Sequence, residues 1–122
     1  MDFQGITWAG IPVEDFEEAV VFFRDRLGIP MTRINNEHQV AHFPLGNGDL
    51  VEVFGSNNPD EEHRRNVAIA LSVEDIEQTR SEMEKAGVKF LTDINTWEDE
   101  AWCYFEGPDG LLFEIKSKPA TY

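Results

Sequence analysis

Trp102-Cys103-Tyr104-Phe105-Glu106-Gly107-Pro108-Asp109-Gly110-Leu111-Leu112-Phe113-Glu114-Ile115-Lys116 is the stretch on which the fold turns. Gly107 to Gly110 places a proline and two glycines where a chain must reverse tightly. The flanking runs are aromatic and branched, so the stretch reads as a β-hairpin. Side chains alternate along a strand, which sends Leu112, Glu114 and Lys116 to one face and Phe113 and Ile115 to the other. On this strand alone, Glu114 is expected on the solvated side of a half-buried sheet, and a place lining a cavity is the competing expectation.

Composition sets the bounds. With 122 residues, 41% of them hydrophobic and 11% aromatic, the chain suits one compact domain or two small halves sharing a core. Twenty-four acidic residues against ten basic ones leave a formal charge of −14, which repels phosphate backbones and makes nucleic acid a poor partner. No apolar run approaches the roughly 20 residues of a membrane span, and Met1-Asp2-Phe3-Gln4 does not open like a signal peptide. A cytoplasmic protein without a membrane partner is expected. Cys103, the single cysteine, rules out an internal disulfide and reads first as a small core residue.

Working outward from the hairpin, Gln4 to Ile11 reads as a strand that Pro12 ends. A helix capped by Asp15 follows, with Phe16, Ala19, Val20, Phe23 and Leu27 as its apolar stripe and Gly28 as its stop. Met31 to Asn36, Gln39 to Pro44 and Leu50 to Phe54 read as strands, the last two joined by the turn Gly46-Asn47-Gly48-Asp49. Gly55 to Asn66, with its charged run through His63, reads as an exposed linker without a packing role. Val67 to Leu71 is then a strand. Glu74 to Ala86 is a helix turning Ile76, Met83 and Ala86 inward, Val88 to Leu91 is a strand, and Thr92 to Glu100 is a polar loop.

The order β-α-β-β-β thus occurs twice, and the letters repeat with it. Val13-Glu14-Asp15 opens one helix and Val73-Glu74-Asp75 the other, 60 residues apart, while the closing glycines Gly28 and Gly87 are 59 apart. These signs argue for internal duplication within a single domain 1–122, with repeats at 1–58 and 67–122. Neither half could bury much surface by itself, so an α+β fold with two curved sheets around a shared cavity is expected.

A duplicated βαβββ unit ending in a Gly-Pro-Asp-Gly-x-x-x-Glu hairpin resembles the vicinal oxygen chelate superfamily, the glyoxalase, bleomycin-resistance and extradiol-dioxygenase group. The usual acidic residue before the turn proline is replaced here by Gly107. In metal-dependent members the resemblance implies four ligand positions, which fall on Trp8, Glu52, Ala68 and Glu114. Trp8 lies five residues before Val13, and Ala68 five before Val73. Indole and alanine offer a divalent metal nothing, so no metal cofactor is expected; were one bound, Glu52, Glu114 and His42 would be its ligands. The resemblance also places Tyr104 at a substrate-contacting position, with Trp102 on its face. If Glu52 and Glu114 face inward, parity turns Leu50, Phe54 and Leu112 inward as well, with Ile6 and Gly10 flanking Trp8. His42 reads as a polar wall residue whose direction the register leaves open.

The expected function is binding of a small, cationic aromatic molecule by Trp8, His42, Glu52, Trp102, Tyr104 and Glu114. A divalent-metal lyase, isomerase or dioxygenase and a vestigial interaction module are the alternatives. A homodimer is the expected assembly, because a two-module chain leaves strand edges to cover.

Overall fold

The computed structural model describes residues 1–60 and 66–117. The described chain divides into two compact units: Trp8–Val67, and Met1–Thr7 together with residues 68–117. The first unit takes β1 (Gly5–Pro12) from Trp8 on, then α1 (Phe16–Val21), a π-helical turn (Phe22–Arg26), β2 (Arg33–Asn35), β3 (Val40–Pro44) and β4 (Leu50–Phe54). The second contains β5 (Ala68–Ser72), α2 (Ile76–Lys85), β6 (Asn95–Trp97), β7 (Glu100–Glu106), a 3-10 turn (Pro108–Gly110) and β8 (Leu112–Ser117). The fold is α+β, with one βαβββ module in each unit.

Both units pair their strands alike. In the first, β1 runs parallel to β4 and β3 is antiparallel to both β4 and β2. In the second, β5 runs parallel to β8 and β7 is antiparallel to both β8 and β6. Each helix covers one face of its sheet. Phe16 and Val20 of α1 pack on Ala41, Phe43 and Val53; Ile76 and Met83 of α2 pack with Cys103, Phe105 and Ile115. Each helix begins on an aspartate cap: the Asp15 carboxylate accepts from the Glu18 amide and Asp75 from the Gln78 amide, both at 3.0 Å.

Several expectations are corrected. The Leu27 amide bonds the Phe22 carbonyl five residues back, a π-type turn that inserts one residue into the helical repeat. That rotation takes Leu27 off the apolar stripe and leaves it 54% exposed. Ala86 is exposed at the end of α2, and the third inward position is Thr79. Val88 to Leu91 is no full strand. It meets β7 at one bridge, Phe90 to Phe105, and the chain then breaks before re-forming as β6, inside the stretch expected to be loop. A side chain spans the break, for the Tyr104 amide donates to Thr92 Oγ1 at 3.2 Å.

The start of the expected linker does pack. Asn58 is buried, its Nδ2 donating to the His38 carbonyl and its Oδ1 accepting from the Asp60 amide, each at 3.0 Å. Residues 61–65, which include His63, lie outside the described residues.

Candidate functional site

The sheet faces turned away from the helices carry the candidate site residues. In the first unit β1 places Trp8 across from Leu50 and Gly10 across from Glu52, while β3 places His42 across from Glu52. The Trp8 indole N–H donates to Glu52 Oε1 at 2.8 Å, and His42 Nε2 stands 3.2 Å from Oε2. The orientation that the sequence left open is thereby fixed: His42 shares the face of Glu52. Phe54 lies beside them, its ring centroid 6.3 Å from that of Trp8.

Gly10 is what lets Trp8 lie flat on this face. A Cβ at Gly10 would come within 2.7 Å of Trp8 Cζ2, nearer still to Cη2, and 3.2 Å from Phe54 Cε2. Trp8 is 3% exposed, whereas the Glu52 and His42 side chains keep 17% and 15% of their surface. The polar ends thus remain within reach of a ligand while the indole anchors the carboxylate. Ile6, expected beside Trp8, is instead 56% exposed.

In the second unit, Tyr104 lies across from Glu114 and Trp102 across from Lys116 on the face opposite Cys103, Phe105 and Ile115. Glu114 is 2% exposed, which overturns the solvated-face reading of β8. Lys116 is equally buried, and sequence reasoning left it out of the site. Its ammonium lies 5.7 Å from the centre of the Trp102 ring and 3.7 Å from Glu100 Oε1. One signal could have found it, because Lys116 shares the Glu114 face and faces Trp102 across the hairpin. Ala68, 1% exposed, supplies no donor.

Cys103 is fully buried behind this face, and burial pushes its thiol above the ordinary range although Arg80 beside it pulls the other way. It is a core residue. Two open grooves on this unit are one of about 310 Å³ beside the start of α2, bounded by Asp2, Glu74 and Glu82, and one of about 430 Å³ between Val88 and Pro108.

Few of the described site residues in either unit can ligate a metal. In the first, one carboxylate and one imidazole face each other, and the third partner is an indole N–H that donates and cannot ligate. Among the described residues no three of His, Cys, Asp and Glu stand close enough to share an ion.

The duplicated module and its strand order define a family. The chain belongs to the Glyoxalase/Bleomycin resistance protein/Dioxygenase superfamily, whose model matches residues 5–115. It is similar to the uncharacterized protein YraH of Bacillus subtilis (strain 168), being 28% identical over 116 residues that cover 84% of this chain and 90% of that protein. Among solved structures, a hypothetical protein from Bacillus halodurans C-125 matches with a TM-score of 0.76 at 16% identity, covering 97% of this chain and 96% of that one. Streptomyces coelicolor methylmalonyl-CoA epimerase, in complex with 2-nitronate-propionyl-CoA, matches with a TM-score of 0.72 at 19% identity and 98% coverage of both chains. Both structures share the fold. No helix among the described residues is long and apolar enough to cross a membrane.

Proposed function

We propose that this protein binds a small cationic aromatic molecule, without a resident metal, through Trp8, His42 and Glu52, and that Trp102, Tyr104 and Glu114 serve the same purpose in the other unit. The observation that carries this reading is the Glu52 carboxylate, held by the Trp8 indole at 2.8 Å beside aromatic walls. A carboxylate fixed in advance costs a ligand little ordering, and an aromatic cation combines ion pairing with stacking in a half-dry site. The charge of −14 raises the local concentration of cations. The epimerase with its acyl-CoA analogue supports small-ligand binding on this fold.

This reading makes the protein a cytoplasmic homodimer. Pairing is favoured by the fully exposed edge strands β2 and β6, and light scattering across the micromolar range should return twice the chain mass.

Benzyltrimethylammonium tests the reading by thermal shift. At a hundred times its dissociation constant a ligand stabilises the fold by about 2.7 kcal/mol. The wild type should show this shift, and the Glu52→Gln, Glu114→Gln double variant should lose it. A larger response to benzoate or benzyl alcohol, or an undiminished response in the double variant, overturns the proposal.

The second reading, a divalent-metal lyase, isomerase or dioxygenase, is favoured by His42 standing 3.2 Å from Glu52, a second donor type on the same face. Elemental analysis of protein purified without tag or chelator separates the two. Stoichiometric zinc, iron or manganese that His42→Ala removes would establish a metal site and favour the enzyme reading.

A further inference from the structure

Among the described residues Lys116 is the one buried basic side chain. An ammonium group taken out of water is costly unless charge and geometry compensate it. Its location shows what compensates. The hairpin sets Lys116 across from Trp102, and Glu100 lies two residues before Trp102 on the same strand and hence on the same face. The ammonium sits 5.7 Å from the indole centre, within the range of a cation–π contact, and 3.7 Å from the Glu100 carboxylate. Lys116 keeps 5% of its side-chain surface and Glu100 13%, so the pair is screened little by solvent. An aromatic face and a carboxylate converging on one point are the elements that recognise an alkylammonium ion.

The geometry points to an ammonium-binding subsite formed by Trp102 and Glu100, filled in the free protein by Lys116 as a tethered occupant. The ligand class is a primary alkylammonium, the group that Lys116 itself presents. An amine-bearing ligand gains this subsite by displacing the Lys116 head group, so Lys116 sets the threshold for amines on this face. The subsite goes beyond the function proposed above, because although it shares Trp102 with that reading it adds Glu100 and Lys116 and involves neither Glu52 nor Glu114.

Chemical rescue tests it. Lys116→Ala removes three methylenes and the ammonium, and propylammonium replaces those four heavy atoms. Saturating propylammonium should raise the melting temperature of Lys116→Ala by about 4 °C, with little change in the wild type, whose subsite is filled. Propan-1-ol, matched in size but uncharged, should not rescue, and adding Trp102→Leu or Glu100→Gln should abolish the effect. Equal rescue by propan-1-ol, or rescue that survives both second substitutions, overturns the inference. If Lys116→Ala does not fold, Lys116→Met keeps the stem and lacks only the head group. Ammonium chloride should then stabilise it in a saturable way that sodium chloride does not match, and equal responses to the two salts count against the subsite. The outcome is independent of whether benzyltrimethylammonium binds the wild type.

Discussion

The two units are built on one plan and filled in opposite ways. Gly10 lies across from Glu52 in the first, and Ala70 occupies the same place across from Glu114 in the second. His42 and Tyr104 likewise face these glutamates from the neighbouring strand, each ten residues earlier in the chain. Two residues before Gly10 stands Trp8, and two before Ala70 stands Ala68. The large side chain requires a glycine beside it because its ring lies where a Cβ would be, whereas the small one tolerates a methyl group. In the first unit the indole N–H holds the glutamate. In the second, the conspicuous contact of the same face is a lysine on a tryptophan. A duplicated scaffold fixes where polar groups stand, and the volumes around them decide what each group meets.

The largest test of this contrast is truncation of the indole. Trp8→Ala should cost about 3–5 kcal/mol in urea unfolding, as removal of a buried large aromatic does. Ala68→Gly should cost no more than about 1 kcal/mol. Comparable losses at the two positions would erase the distinction.

A smaller effect, and a more specific one, is expected at the glycine. Gly10→Ala should destabilise by about 1–3 kcal/mol through overpacking. That cost should fall sharply in a Trp8→Ala background, because the closest clash partner is gone. Additive effects of the two changes would show that the ring does not need the glycine. The reverse change in the other unit, Ala70→Gly, should cost only about 0.5–1 kcal/mol.

At the helix starts the units should behave alike. Asp15→Ala and Asp75→Ala each remove one cap bond of 3.0 Å, and each should cost about 1 kcal/mol. A large difference between them would mean that the π turn behind α1 changes how much its cap matters.

The smallest signal is a rate. Cys103 lies in the second unit alone, and burial raises its thiol pKa, so less thiolate is present near neutral pH than for an exposed thiol. Iodoacetamide should label the native protein far more slowly than the urea-unfolded chain, timing the opening of that unit alone. Rapid native labelling would contradict the burial.

Much of the plan was legible because its signals are local. The Asp15 cap and the turn at Gly107 to Gly110 follow from letters and spacing, whereas the shared face of Trp8 and Glu52 was what the family resemblance implied. The π turn was not legible, since one inserted residue leaves a helix with much the same apolar composition. Asn95-Thr96-Trp97 carries no alternation, so β6 gave no sign of itself. Lys116 and Glu114 were misjudged for a shared reason: parity says which side chains lie together but not whether water reaches them. Gly10 could have been found, because a tryptophan two residues before a glycine in a strand, with alanines at both places one repeat later, is a volume compensation written in the letters.

The break beside β7 also bears on time. The Tyr104 amide is held by the Thr92 hydroxyl, and the amides on either side of the break join backbone to backbone, Leu91 to the Tyr104 carbonyl and Glu106 to the Lys89 carbonyl. A side-chain acceptor is released by one rotamer jump, whereas a backbone acceptor needs the segment to move. In hydrogen exchange Tyr104 should therefore lose its deuteron through small local fluctuations, ahead of Glu106 on the same edge. The strand that carries a candidate site residue thus has a seam at that residue, where the edge loosens without the sheet coming apart.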